Sequence, residues 1–332
     1  MIDIRARLAA LAIIAALFAL PVVALLWMTA VPGVSHDGPI PPLTVAEARL
    51  ATRLRGHVVA IASTPHNVEH PIELERAARH IEGALASMGY AVRRQSFSAG
   101  GERVRNIEVV VDPARPDAET LVVGAHYDSA YEAPGANDNA TGTAAVIELA
   151  RALADLRGKA ALRLRLVLFV NEEPPWFQTP LMGSVVYAAQ LKRSGEPVLG
   201  MISLETIGYY SDRPHSQHYP WPLASLYPDT GNFVAFVGTT GSRGFVRRTV
   251  GSFRSVARFP SVGGTAPGLV QGVDWSDHWA FAGEGMPALM VTDTAPFRYP
   301  HYHSLADTPD KIDYDRLARL VAGLDRRIRV MR

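Results

Sequence analysis

Residues 121 to 142, LVVGAHYDSAYEAPGANDNATG, constrain the fold more than any other stretch of the chain. Leu121 to Ala125 is an unbroken apolar run, as long as a buried strand of a parallel sheet needs to be. It gives way to His126 and Asp128, whose period-two spacing turns both side chains the same way. A Pro134-Gly135 turn follows, then Asp138 and Asn139, then Ala140 to Leu153 with apolar residues at helical spacing. Open α/β sheets place ligands at the carboxyl ends of their strands, where this strand releases a histidine and two carboxylates. Imidazole and carboxylate together suit zinc or a similar divalent ion.

The rest of the chain repeats the alternation. Thr44 is placed to cap a helix from Val45, and a second helix is predicted from about Glu73 to Met88. Ala91–Phe97 and Val104–Val111, joined by a Gly-Gly turn, read as a hairpin. Strands are predicted at Leu162–Val170, Val198–Leu204, Phe233–Val237 and Ala288–Thr292, and helices at Ala140–Leu156, Ser184–Lys192, Gly244–Val256 and Tyr314–Val330. This order predicts an α/β fold, a mostly parallel central sheet flanked by helices on both faces.

Residues 8 to 31 carry no charge and exceed the about 20 apolar residues that cross a bilayer. Arg5 and Arg7 precede the run and Trp27 lies near its far end, so the reading is one uncleaved transmembrane helix with a cytoplasmic N-terminus. A cleaved signal peptide is the rival, although its apolar core is usually only about 7 to 15 residues. The expected layout is a stub and anchor over 1–31, a Pro/Gly linker over 32–44 and a catalytic domain over 45–332. In a bacterium that places a single-pass protein in the inner membrane, its domain on the periplasmic side. With a net charge of +1 and no basic block, nucleic acid is not an expected partner. The chain has no cysteine, so any metal must be held by histidine and carboxylate.

More candidates leave the ends of the other predicted strands. One strand ends in Asn171-Glu172-Glu173, the next in Glu205, and the last leads to His301 and His303. A lone Glu-Glu is ordinarily a solvated strand end. Here successive strands deliver His126, Asp138, one of Glu172 or Glu173, Glu205 and one late histidine to the same edge. His66 and His70 in STPHNVEHP, and His215 and His218 in RPHSQH, read as loop residues.

These segments (AHYDS, GANDNATGTAAVIELAR, NEE, LETIGY, SDHWAF and YHSLADTPDKID) resemble the M28 zinc aminopeptidases over roughly residues 45 to 330. The resemblance implies two zinc or other divalent ions, with Asp138 bridging them, His126, Glu173, Glu205 and His303 as terminal ligands, and Glu172 as general base. It implies that Asp128 orients His126, that Asp277 and His278 lie near the substrate, and that the Asp138–Asn139 peptide is cis. Glu205 stands where the family usually has aspartate. Three carboxylates against two divalent ions leave about one positive charge, which favours a dinuclear site. The implied activity is hydrolysis of N-terminal residues from peptides. Glutaminyl cyclases share the fold and a similar ligand set, and are the alternative. A carboxypeptidase would need a cation for the substrate carboxylate, and no arginine of this sequence announces itself.

Overall fold

The computed structural model describes residues 4–331, with side chains at Leu8, Leu11 and from position 13 onward. The first helix, α1 (Ile4–Thr29), stands before the domain. Next come α2 (Val45–Ile61), α3 (Pro71–Ser87) and a hairpin of β1 (Arg93–Ala99) and β2 (Glu102–Val111). The remaining elements are β3 (Thr120–His126), α4 (Thr141–Leu153), β4 (Arg163–Phe169), α5 (Gly183–Ser194), β5 (Val198–Glu205) and β6 (Val234–Thr239). They continue with α6 (Arg243–Val256), β7 (Ser261–Ala266), α7 (His278–Gly283), β8 (Ala288–Thr292) and α8 (Tyr314–Arg329). Thr44 forms a full capping box with Glu47, which is why α2 begins where the sequence places it.

The strands form one sheet in the order β1-β2-β4-β3-β5-β8-β6-β7. Its centre, β4-β3-β5-β8, is parallel, and β3 is buried along its whole length, as its apolar run requires. The sheet as a whole is mixed, which corrects the expectation of a mostly parallel one. The hairpin brings β2 in antiparallel to β4, and β6 runs antiparallel to β8 with β7 parallel to β6. The long connection from 206 to 233 causes the second reversal, because it crosses the carboxyl edge before β6 starts back. Helices α2, α4, α6 and α8 enclose the larger core on one face, while α5 and α7 cover a smaller one built on Phe169, Tyr187 and Phe281.

Two elements had no periodic signal. Strand β7, SVGGTA, carries Gly263 and Gly264, where a Cβ would collide with Val250 and with the Tyr227 hydroxyl. Helix α7 spans only six residues.

The N-terminal run is helical but is not borne out as a membrane span. Side chains are described without a break only from position 13, and among the described residues no helix is long and apolar enough to cross a membrane. Leu17, Phe18, Leu20, Val23 and Leu26 are exposed, and the helix meets the domain toward its end, at Trp27. After Thr29 the chain lies along the domain surface. Arg254 donates to Gly33 O, Ser261 N donates to Ser35 Oγ, and Ile40 and Leu43 pack on the larger core.

Candidate metal centre

His126 and Glu205 are the last residues of β3 and β5, and Glu172 and Glu173 follow β4 after a two-residue extension. Asp138 lies between β3 and α4, and His303 in the loop after β8. Parallel strands end level with one another, so these side chains meet at one edge. Asp138 stands between the histidines. Its Oδ1 is 3.3 Å from His126 Nε2 and its Oδ2 is 3.0 Å from His303 Nε2. His126 Nε2 also lies 3.4 Å from Glu205 Oε2 and 3.7 Å from Glu172 Oε2, and His303 Nε2 lies 3.2 Å from Glu173 Oε2.

None of these approaches satisfies the atoms involved. His126 Nε2, His303 Nε2, Asp138 Oδ2 and Glu173 Oε1 are buried and have no aligned hydrogen bond. Buried polar atoms are almost always paired, so four orphans converging on one point mark a cation's seat. The ligand atoms form three overlapping triads, each within 4.8 Å: Asp138 joins two of them, His126–Asp138–Glu205 and Asp138–Glu173–His303, and the third is His126–Glu172–Glu173. Hard oxygen and imidazole donors without sulfur fit zinc or a related divalent ion.

The electrostatics agree. Burial pushes Glu173 and Glu205 up to about 7, and crowding with other carboxylates adds to both. Burial, with Glu205 and Glu173 beside it, also holds Glu172 well above the carboxylate range, against the pull of His126. For His126, burial opposes protonation, but Glu205 and Glu172 override it and raise its pKa well above the imidazole range. The cluster is short of positive charge, which bound cations would supply.

The loop that carries Asp138 is braced on every side. Asp307 accepts from Asn137 N at 2.8 Å and Asp138 N at 3.1 Å, and Tyr299 donates to Asp307. Asn139 donates to Leu204 O and accepts from Gly142 N and Thr206 N. A Cβ on Gly142 would collide with Leu204 O and the Asn139 amide, so glycine lets α4 start against β5. Asn137 donates to Asp293 and accepts from Gly208 N. The Asp138–Asn139 peptide is cis, as the resemblance implied. The bracing roles of Asn137, Asn139 and Asp293 were not read from the sequence, because their partners lie up to 156 residues away.

Other candidates fall into different places. The Asp128 carboxylate mainly accepts from Glu172 N and Glu173 N, at 3.2 and 3.1 Å. His126 Nδ1 is met by the Asp128 backbone carbonyl at 3.1 Å, with the carboxylate at 3.6 Å. Asp128 therefore orients the glutamates as much as the histidine. Asp277 is fully buried with neither carboxylate oxygen hydrogen-bonded, and burial pushes it up to about 7 against the pull of His126. His278 is turned away, its Nε2 donating to Val273 O. His301 packs edge-on against Tyr299 and belongs to none of the three triads, and His215 is an exposed partner of Asp229. His66 corrects the surface-loop reading of its segment. It is fully buried, its amide donating to Ser129 Oγ and its carbonyl accepting from Ser129 N, so it props the loop beyond β3. The Pro-flanked sequence around it has no periodicity that could have disclosed this.

Beside Glu205 an apolar cavity of about 110 Å³ runs from the carboxyl end of β8 across β6 and β7. Val237, Met290, Trp275, Phe297 and Tyr302 line it, and none of its lining residues is lysine or arginine.

A mixed α/β sheet with overlapping His/carboxylate triads where its parallel strands end is a scaffold suited to holding divalent metal ions. Residues 106–324 match the model of peptidase family M28, and the chain belongs to that family. It is 39% identical over 269 residues to the uncharacterized protein YfbL of Escherichia coli (strain K12), covering 78% of this chain and 81% of that one. Among solved structures, a zinc aminopeptidase from Bacillus subtilis superposes with a TM-score of 0.60 at 16% identity, covering 82% of this chain and 94% of that one. A glutaminyl cyclase from Fimbriiglobus ruber superposes with a TM-score of 0.63 at 20% identity, covering 90% of this chain and 98% of that one. At these identities the likeness is one of fold.

Proposed function

We infer that the protein is a two-metal aminopeptidase that removes residues from free N-termini of peptides. The observation that carries this reading is the sharing of Asp138 between two of the ligand triads, with Glu172 beside them in the third, its Oε2 3.7 Å from His126 Nε2. One ion would be held by His126, Asp138 and Glu205, the other by Asp138, Glu173 and His303. The name of the Bacillus subtilis relative and the donor set both favour zinc. When bound, such ions supply Lewis acidity. Glu172, a buried carboxylate with raised proton affinity, takes the proton of the attacking water and delivers it to the departing amine nitrogen. Asp128 fixes the backbone that carries Glu172, so the base is oriented before substrate arrives.

Direction follows from charge. The edge is rich in carboxylate, which seats an α-ammonium and repels an α-carboxylate. The apolar cavity offers no cation to a substrate carboxylate, and Arg298, the arginine nearest in sequence to the late histidines, is engaged with Gln217 and Phe233 O. This disfavours a carboxypeptidase. The cavity suits an apolar first side chain. Glutaminyl cyclisation makes the same demand for a free amine and is separated by product. Metal analysis paired with free and N-acetylated aminoacyl substrates tests the reading. Free forms should be cleaved, blocked forms should not, and chelation should stop the reaction; pyroglutamate formation without hydrolysis would favour the cyclase.

For location, the reading is a chain held at a membrane by α1 with its catalytic domain outside the cytoplasm. The exposed apolar flank of α1 and the arginines that precede it support this. Protease protection in spheroplasts tests it: a domain digested only after lysis would overturn the topology.

A further inference from the structure

We propose that the catalytic domain rests one face on an anionic phospholipid surface, through a collar of arginines and apolar side chains around the exit of α1. The proposal rests on the reading that α1 holds the chain at a bilayer, and it goes beyond that reading. An anchor alone requires no contact between lipid and domain.

The end of α1 is fixed to the domain. Arg243 of α6 donates to Trp27 O at 2.8 Å and stacks over the Trp27 ring at 4.0 Å. Arg247 donates to Ala30 O, Arg254 donates to Gly33 O, and Thr265 of β7 donates to Met28 O. These contacts satisfy carbonyls that a helix end leaves open, so part of the arginines' task is structural. They also remove any hinge between α1 and the domain. A helix held in a bilayer would then dictate which face meets the headgroups.

That face has the layering of an interface. Helix α6, RGFVRRTVGSFRSV, carries Arg243, Arg247, Arg248 and Arg254 and no acidic residue. Arg248 is exposed and has no part in holding α1. The loop beyond β5 reaches the same place: Pro220, Leu223 and Tyr227 share a cavity wall with Thr29, and Tyr227 donates to Gly263 O on β7. From this loop Trp221 projects at 91% exposure, and Leu226 borders the cleft that holds Thr29 to Val31. Tryptophan favours the interfacial zone of a bilayer, and arginine just outside it favours anionic headgroups. Apolar helix, aromatic and leucine side chains, and arginines in excess of the one carboxylate in that cleft, Asp37, thus succeed one another along α1's exit.

The absence of cysteine makes the test direct. Single cysteines replacing Trp221, Leu226 and, as a control on the hairpin at the far end of the sheet, Glu102 are spin-labelled in the full-length chain. The chain is reconstituted in nanodiscs of neutral lipid, or with anionic phosphatidylglycerol added. Labels at 221 and 226 should favour oxygen over a polar nickel relaxant severalfold relative to the label at 102. Anionic lipid should increase that preference, and Arg247→Gln with Arg248→Gln should cancel the increase, each arginine acting by about fivefold. Failure of the chain to enter nanodiscs would overturn the anchor reading and the proposal with it. Retention in nanodiscs with aqueous labels at 221 and 226 would overturn the proposal alone, as would lipid contact indifferent to anionic charge.

Discussion

Two buried clusters, one among the helices and one at the ends of the parallel strands, use the same residue types to opposite ends. On the helical side, Glu148 of α4 accepts from Arg53 at 2.6 Å, His57 at 3.2 Å and Arg151 at 3.1 Å, and His57 meets His80 at 2.9 Å. Burial works against the Glu148 charge, but His57, Arg53 and Arg151 hold its pKa down to about 2. At the carboxyl edge, Glu173 and Glu205 are pushed up to about 7; their charged neighbours are histidines and other carboxylates, with no guanidinium within ion-pair distance among the described residues. One cluster is complete in itself. The other leaves His126 Nε2, His303 Nε2, Asp138 Oδ2 and Glu173 Oε1 buried and unpaired, and that difference separates a self-contained network from a candidate metal centre.

The comparison can be broken most decisively at Asp138. Asp138→Ala removes the carboxylate that joins two of the three triads, so metal content should fall and kcat/KM with it, by at least about a thousandfold. Mass spectrometric metal analysis beside kinetics checks this. Retention of both metals would mean that the triads are not joined through Asp138.

Glu172→Gln should lower kcat by roughly 10²–10⁴-fold while metal content stays unchanged, because an amide cannot accept the water's proton. Loss of metal at unchanged fold would exchange the roles of Glu172 and Glu173.

A milder effect is expected beside Glu205. Ser276 donates to Glu205 Oε2 at 2.8 Å and is itself paired with Ser203, which steadies the longer glutamate where the family usually has aspartate. Ser276→Ala should weaken one of two metal-binding events by about tenfold or more, read by titration with a chelator. Equal weakening of both events would place Glu205 outside the single triad assigned to it.

The smallest effect on turnover belongs to the complete cluster. Glu148→Gln should leave kcat/KM and metal content as they are, yet cost about 1–3 kcal/mol of stability in urea unfolding. Glu148 is depressed from 4.5 to about 2 on folding, so its contribution is fully present above pH 4.5 and is lost as pH falls through about 2. The variant should therefore show a shallower loss of stability across that acid window. A change in kcat/KM instead would connect the helical cluster to the metal centre.

Much of the architecture was legible because its signals are local. The capping box at Thr44, the apolar run of β3, and the helical spacing after Asn139 each depend on neighbours a few residues apart. So did the release of His126, Glu172, Glu173 and Glu205 at strand ends. The unread parts lacked such signals. Strand β7 is weakened as a pattern by two glycines that exist to admit Val250 and Tyr227, and α7 is too short to show a period. His66 looked like a loop residue because nothing in its own segment reports that Ser129 will receive it.

The sequence by itself determined most of the segments that become strands and helices, β7 and α7 excepted, and which carboxylates and histidines leave them at the same end. Tertiary structure alone decided that β6 and β7 run against β8, and that the 206–233 connection returns beside α1. It also set His303 3.0 Å from an Asp138 that lies 165 residues earlier in the chain (303 − 138). Periodicity records which face of an element is buried. Strand direction and the meeting of distant side chains are settled by loop closure and by packing between elements, whose energies no local window contains.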